Sequence, residues 1–262
     1  MTTITIHSFK GGTGKSLIAV GLAHSYSKDG ERVLLIDGDY GAPCLDSFFP
    51  PKEKKKPFPD FLKGKAKLKE VVSETVFRDL FVSYAPAPNF GEEILRADVA
   101  THGRYLKKLL EGISIAKGDM GFDKIVIDNS NGVTLPAINH LSSSNLSVIV
   151  LRPVRYGAES TYSLIDTIYK KLRYVDSGST RRDFIVWNQV PTNEDSSFDP
   201  RVEEYLNYWI QKFKDSEIMH AATIPYISAV VTAMITDIAQ DLPVLVNLIQ
   251  PYIEEVKSKI AE

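Results

Sequence analysis

The stretch of sequence with the clearest chemical meaning is the glycine-rich run Lys10–Ser16 (KGGTGKS), which lies between a strand-like and a helix-like segment. Its glycines let the backbone curl so that successive N–H groups point at anionic oxygens, and the following helix adds its positive N-terminal end. Lys15 is placed to reach the β- and γ-phosphates of a nucleotide, and the Ser16 hydroxyl is the natural ligand for Mg²⁺. The run therefore predicts a phosphate loop whose binding residues are Lys10, Gly11, Gly12, Thr13, Gly14, Lys15, Ser16 and Leu17.

Carboxylates follow two of the predicted buried strands. Asp37 and Asp39 end one apolar run, and Asp128 ends another. Ligands of open α/β folds bind at the carboxyl ends of the strands, so these acids are expected beside the phosphate loop. Asp37 is expected in the outer shell of Mg²⁺, and Asp128 is expected to hold a water ligand of the ion or to accept a hydrogen bond from Ser16. The alternative, that the acids only end a strand at a turn, stays open.

The elements that must position these residues alternate along the chain. Apolar, β-branched runs predict strands, and longer segments of helical period separate them. Strands that are apolar throughout and separated by helices indicate a parallel sheet covered on both faces. We therefore predict a single doubly wound α/β domain over residues 1–262. Its predicted strands are 4–9, 32–36, 80–84, 124–127, 146–151, 184–187 and 221–224, and its predicted helices are 16–28, 104–116, 159–174, 200–213 and 243–262.

Composition sets further limits on the class of protein. The net charge is −2, so no global attraction to nucleic acid or acidic lipid follows. Cys44 is the one cysteine in the sequence; it excludes an internal disulfide framework and a CxxC metal site within one chain, and it is expected to be a small, semi-buried side chain. No apolar run approaches the roughly 20 residues of a membrane-spanning helix, and the first residues lack the basic region of a secretory signal. We expect a soluble, cytoplasmic protein.

One segment departs from this average composition. Residues 50–69 contain eight lysines against two acids, and four prolines lie between residues 50 and 59. This pattern predicts an exposed loop followed by a basic helix. A solvated surface insertion explains it, and the other interpretation is a contact with a partner or with nucleic acid.

The position of Lys10 points to a family. The general phosphate loop, GxxxxGK[ST], leaves this position open, whereas the sequence here reads KGGxGK[ST] and resembles the deviant phosphate loop of the ParA/MinD family of ATPases. The resemblance implies an ATP- and Mg²⁺-dependent homodimer in which Lys10 crosses the interface to touch the nucleotide of the partner subunit. A cation supplied in this way neutralises charge on the transferred phosphoryl group. The resemblance also implies that Asp39 positions the attacking water, so that the catalytic residues are Lys10, Lys15 and Asp39.

Two later segments carry the resemblance to about residue 250. The run 184–189 resembles the strand whose terminal residue, here Asn188, reads the adenine edge, and an amide suits that task because it offers a donor and an acceptor together. The run Ile224–Tyr226 resembles the segment that packs beside the base, which implies contacts from Pro225 and Tyr226.

The sequence departs from these relatives directly after Asp128. The run Asn129–Gly132 (NSNG) stands where they typically have Thr-Pro-Pro-Gly. Prolines stiffen this second switch, so the coupling of hydrolysis to shape change is open in this chain, whereas nucleotide binding is expected to be kept.

Two classes of function fit these features. The first is a dimerising ATPase switch that positions cargo such as DNA, a protein cluster or a cell-pole structure, with slow turnover until an unidentified activator accelerates it. The second is a metabolic ligase or kinase on a related scaffold, similar to dethiobiotin synthetase or the cobyrinate-amidating enzymes. The phosphate loops of that second class generally lack a lysine at position 10, which favours the first.

The cellular role of such a switch depends on whether its surface binds a membrane, DNA or another protein. The tail 253–262 has three acids, two lysines and no bulky aromatic anchor, so membrane insertion is not expected and a packing helix is. Salt-sensitive, sequence-independent contacts with DNA phosphates are one interpretation of a later basic cluster, and a solvated helix face is the other. The candidate DNA contacts are Lys170, Lys171, Arg173, Arg181 and Arg182.

Overall fold

The structure, a computed structural model, describes residues 2–53, 55–175 and 181–262, and for 88–90 and 173–175 it describes the backbone alone. Within these residues, eight strands form one sheet in the order β3-β4-β2-β5-β1-β6-β7-β8. Neighbouring strands run parallel except for β3, which pairs antiparallel with β4. The strands are β1 (Thr2–Ser8), β2 (Val33–Gly38), β3 (Ser73–Glu74), β4 (Leu80–Ser83), β5 (Lys124–Asn131), β6 (Leu146–Leu151), β7 (Arg182–Val190) and β8 (Ile218–Pro225).

The central strands are buried on both faces. In β2, Val33 and Leu35 belong to one apolar cluster, whereas Leu34 and Ile36 belong to another. Because successive side chains of a strand point to opposite faces, such a strand needs helices above and below it. The predicted doubly wound, mostly parallel sheet is therefore confirmed, and all seven predicted strands are present with small shifts of their ends.

Helices cover both faces of this sheet. Helices α1 and α12 pack on one face, while α3, α4, α6, α8 and α10 supply apolar side chains to the other. The helices are α1 (Lys15–Lys28), α2 (Leu45–Phe48), α3 (Phe58–Leu62), α4 (Leu68–Val71), α5 (Pro88–Leu95), α6 (Val99–Gly118), α7 (Leu135–Ser142), α8 (Arg155–Leu164), α9 (Lys170–Val175), α10 (Pro200–Asp215), α11 (Ser228–Ile235) and α12 (Ile238–Ala261).

The C-terminal helix α12 is a packing helix, as predicted. Its apolar residues Leu245, Ile249 and Ile253 are buried against the sheet and α1. Gly21 of α1 permits this close approach, because a Cβ there would lie 2.7 Å from Ile249 Cδ1. No helix in the described part of the chain is both long enough and apolar enough to cross a bilayer.

Two predictions about local structure were incomplete. The lysine-rich segment has an exposed loop followed by helical structure, as predicted, but it forms two short helices, and Phe58, Phe61 and Leu68 are buried in the core because these apolar residues recur among the lysines. Its lysines stay at the periphery, where Lys56 pairs with Glu70 at 2.9 Å, and Lys54 lies outside the described residues. The helix predicted over 159–174 is divided between α8 and α9 by a π-helical turn, Ile165–Tyr169.

Candidate nucleotide site

The glycine-rich loop leaves the carboxyl end of β1, between β5 and β6, and leads into α1. Gly12 and Gly14 have φ values of 72° and 88°, a left-handed conformation that favours glycine. Gly14 is the N-cap of α1 and supplies no side-chain cap, so the first N–H groups of this helix face the loop. These features make an anion cradle at the positive end of a helix dipole.

The two lysines of the loop occupy different environments. Lys15 is 8% exposed, and within the described part of the chain it has no ion-pair partner. Asp128 is close enough for the charge of Lys15 to lower the pKa of that carboxyl group, and a bound polyphosphate would supply the negative charge that Lys15 lacks within ion-pair distance. Lys10 is exposed on the rim, with its Nζ 5.2 Å from the centroid of the Phe9 ring. Leu17 packs its side chain into the core, so only its backbone can face a nucleotide.

Asn188, the predicted adenine contact, lies against the back of the loop. Its Nδ2 donates to the Thr13 carbonyl at 2.7 Å, and a Cβ on Gly14 would lie 2.3 Å from the same nitrogen. Asn188 therefore positions the loop in this structure. Tyr226 N–H donates to the Val190 carbonyl at 2.8 Å, which joins the ends of β7 and β8. Asn188 thus lies against the loop, Pro225 and Tyr226 lie at the end of the neighbouring strand β8, and their contact with a base stays a prediction.

Asp37 is a buried acceptor at the end of β2. Its carboxylate accepts hydrogen bonds from the N–H groups of Asp39, Cys44 and Leu45 at 3.1 to 3.2 Å, and so organises the turn that follows. The register of β2 and β5 places Asp37 opposite Asp128. Burial, reinforced by the charge of Asp128, raises the pKa of Asp37 to about 8, although the three N–H donors act in the other direction.

Asp39 is half-buried at the mouth of the site. Its Oδ1 accepts from the N–H groups of Gly41 and Ala42 at 3.2 and 3.0 Å, while no hydrogen bond to its Oδ2 is found in the described chain. One oxygen therefore fixes the turn, and the other is left for a further hydrogen bond, which suits a residue that orients water.

Asp128 is 1% exposed, and its Oδ1 is a buried oxygen without a hydrogen-bond partner in the described structure. Burial raises the pKa of Asp128 to about 6, and the nearby Ser16 hydroxyl opposes the shift. A buried, incompletely bonded carboxylate beside a serine hydroxyl fits Mg²⁺, a hard cation that prefers oxygen ligands. No group of three or more histidine, cysteine, aspartate or glutamate side chains that could hold a metal ion is found among the described residues.

Sequence reasoning underestimated Cys44. Its Sγ lies 3.2 Å from Ser16 Oγ and 4.0 Å from Asp128 Oδ2, so the thiol is part of the predicted magnesium site. Burial, followed by the charge of Asp128, raises the pKa of this thiol to about 12, which keeps it neutral. The sequence could have indicated this role of Cys44, because the residue lies only seven positions after Asp37, in the turn that Asp37 organises.

The predicted DNA contacts do not form one basic surface. The prediction that Arg181 contacts DNA was wrong. Its guanidinium is buried, pairs with Asp183 at 2.9 Å and donates to the carbonyls of Leu141 and Ser144, and so joins the start of β7 to the end of α7. Arg182 donates to the Ile260 carbonyl at 2.7 Å, and Lys170 pairs with Asp166 at 2.5 Å. The remaining candidates are Lys171, which is exposed, and Arg173, whose side chain lies outside the described residues.

A mostly parallel, doubly wound sheet with this loop at its carboxyl edge defines the chain as a P-loop nucleotide-binding protein. A family model described as an AAA domain matches residues 1–177. The flagellum site-determining protein YlxH of Helicobacter pylori is 32% identical over 162 residues, which are 62% of this chain and 52% of that protein. The chromosome-partitioning protein ParA of Caulobacter vibrioides is 25% identical over 169 residues, 64% of this chain and 62% of that one.

A solved structure shows the same fold. The septum site-determining protein MinD of Pyrococcus horikoshii, in complex with Mg-ADP, superposes with a TM-score of 0.65 at 21% identity and covers 98% of this chain and 95% of its own. The chain belongs to the ParA/MinD family of P-loop ATPases. It spans about half to two thirds of the length of the two curated relatives.

Proposed function

We propose that this protein is an Mg²⁺-dependent ATPase that dimerises around ATP and uses hydrolysis as a switch to position cargo, such as DNA or a protein assembly. The observation that carries the proposal is the buried Lys15, which lies in a glycine cradle at the same edge of the sheet as Asp37, Asp39 and Asp128. The names of the relatives, which concern flagellar placement, chromosome partitioning and septum placement, support the positioning role.

The residues divide the chemistry between them. Lys15 and the N–H groups of the loop would bind the β- and γ-phosphates, and Ser16 would be the direct protein ligand of Mg²⁺, with Asp37 and Asp128 binding its water ligands. The ion, when bound, neutralises phosphate charge. The free oxygen of Asp39 would hold the attacking water in line, and Lys10 of a second subunit would approach the γ-phosphate from the open side.

Exposed apolar side chains support dimerisation through this edge of the sheet. They follow the carboxyl ends of β5, β6 and β8, and each is at least 48% exposed. Apolar groups beside a charged cleft are typical of a surface that a partner covers. These side chains are Val133, Val154, Tyr156 and Tyr226.

Asp39→Asn is expected to lower kcat for ATP hydrolysis about 100-fold, the lower range for loss of a group that handles the reacting proton or water. Asparagine keeps the Oδ1 acceptor for Gly41 and Ala42, so ATP affinity and the turn should be preserved. Steady-state phosphate release and ATP titration measure the two effects. Asp46→Asn, which removes an exposed carboxylate from α2, is the matched control, and undiminished turnover in Asp39→Asn would remove Asp39 from the mechanism.

Lys10→Ala is expected to abolish ATP-dependent dimerisation, because the interface loses the cation that faces the partner's phosphates. Light scattering with Mg²⁺ and ATP should give the mass of two chains for the wild type and of one chain for the variant. Lys28→Ala, at the exposed far end of α1, should dimerise like the wild type. A Lys10→Ala protein of dimeric mass would show that Lys10 does not hold the interface.

A further inference from the structure

A continuous chain of buried side chains joins the residues that directly follow the two catalytic-site acids. Asn129 follows Asp128, and Tyr40 follows Asp39. Four side chains are linked by these hydrogen bonds, and each side chain is no more than 1% exposed. We call them the buried relay: Tyr40, His140, Asn129 and His7.

The direction of each hydrogen bond in the buried relay follows from its surroundings. Asn129 Nδ2 lies 3.2 Å from the Ala137 carbonyl, which only accepts, so the NH₂ group must face it. Asn129 Oδ1 then accepts from His140 Nδ1 at 2.9 Å, and Asn129 Nδ2 donates to His7 Nδ1 at 3.2 Å. With its proton on Nδ1, His140 accepts from the Tyr40 hydroxyl through Nε2 at 3.2 Å.

Both histidines are neutral at physiological pH. Burial lowers the pKa of His7 to about 3, with Lys15 adding to the effect, and burial lowers the pKa of His140 to about 4. Neutral imidazoles have one donor and one acceptor, so every donor of the relay points the same way, from Tyr40 toward β1. The pattern fixes the donors from Tyr40 to Asn129, and it ends at His7, whose Nε2 has no hydrogen-bond partner in the described structure.

The relay also packs closely against the backbone of both acids. A Cβ on Gly38, between Asp37 and Asp39, would lie 2.7 Å from His140 Cε1 and 3.0 Å from the Asp128 carbonyl. The segment after Asp128 continues β5 in this chain, where Asn129 pairs with Gly38 of β2. Side chains of an apolar core could fill this space at a lower desolvation cost, but they would not set distances and angles in this way.

We propose that the buried relay positions Asp39 relative to Asp128, so that Tyr40, His140 and Asn129 are positioning residues for hydrolysis. The proposal rests on the proposed ATPase function for its kinetic arm, while its structural arm needs only the folded protein.

The test removes one hydroxyl. Tyr40→Phe is expected to lower kcat about tenfold, the smaller effect of losing a residue that orients a site residue, while ATP affinity stays within about twofold of the wild type. The structural readout is amide hydrogen exchange at Gly41, Ala42, Cys44 and Leu45, whose N–H groups are bonded to Asp37 and Asp39. These four amides should exchange faster in Tyr40→Phe.

Two further variants test the path and its specificity. In a His140→Leu background, Tyr40→Phe should cause no additional loss of kcat, because the hydroxyl acts through that histidine. Tyr84→Phe removes another tyrosine hydrogen bond, 2.8 Å to the Phe49 carbonyl, and should change neither readout. Should His140→Leu fail to fold, the comparison of Tyr40→Phe with Tyr84→Phe decides.

Unchanged exchange at the four amides in Tyr40→Phe would overturn the proposal whatever the activity. If the wild type hydrolyses ATP, an unchanged kcat in Tyr40→Phe would also overturn the proposal. An equal loss of kcat in Tyr84→Phe would overturn it as well. A wild type that binds but does not hydrolyse ATP would instead contradict the proposed function, and the exchange data alone would then decide on the relay.

Discussion

Lys15→Met is expected to weaken ATP binding about 100-fold, equivalent to about 2.7 kcal/mol, and at the same time to stabilise the nucleotide-free protein by about 1 kcal/mol. Both effects have one cause. Lys15 is buried at the first turn of α1, where its charge opposes the helix dipole; among the described residues, Asp128 attracts it but does not form an ion pair with it. Bound phosphates reverse that balance. Isothermal titration and urea denaturation measure the two effects.

The opposite signs separate a lost phosphate contact from general damage to the fold. Lys28→Met changes the same residue type at the exposed end of the same helix, and it should leave ATP affinity unchanged. A Lys15→Met protein that is destabilised and also binds ATP poorly would point to misfolding. One that keeps wild-type affinity would contradict the phosphate role of Lys15.

Arg181→Met is expected to lower the free energy of unfolding by about 3 to 5 kcal/mol, because it removes the buried guanidinium that forms the ion pair with the Asp183 carboxylate. The side chains of Arg181 and Asp183 are 4% and 0% exposed, and the guanidinium also donates to the Ser144 carbonyl at 3.0 Å. Urea denaturation followed by circular dichroism measures the change. Lys171→Met, on the exposed side of α9, should leave stability within about 0.5 kcal/mol of the wild type.

A double variant checks the physical reason. Arg181→Met with Asp183→Leu removes both buried charges, and it should recover most of the stability that Arg181→Met loses. If Arg181→Met left stability unchanged but abolished retention on DNA, the original interpretation of Arg181 as a surface contact would be restored.

Cys44 gives the predicted magnesium site a feature that sequence reasoning did not foresee. Its neutral thiol lies close to both Ser16 and Asp128, the residues that would hold the ion and one of its water ligands. Magnesium prefers oxygen, so the thiol is best understood as a packing group that closes the site behind the serine.

The sequence predicted the fold well because its strands carry strong local signals. The runs Val33–Ile36 and Leu146–Leu151 are apolar at every position but one, a pattern that fits only a strand buried on both faces. Short helices such as α2 and α7 were missed, because four to eight residues carry too little periodicity to distinguish a helix from a loop. The π-helical turn before α9 was missed because it continues the helical pattern without a break.

For the candidate site, the sequence by itself determined the phosphate loop and the placement of Asp37 and Asp39 at the end of β2, whereas β5 continues beyond Asp128 to Asn131. Local chemistry was enough for this: glycines permit the curled backbone, and parallel strands bring their carboxyl ends to one edge. Only the tertiary structure decided that Arg181 is internal and that Asn129 joins His7 to His140. Those contacts depend on strand order and register, which bring together residues far apart in the chain, and no local pattern records such a meeting.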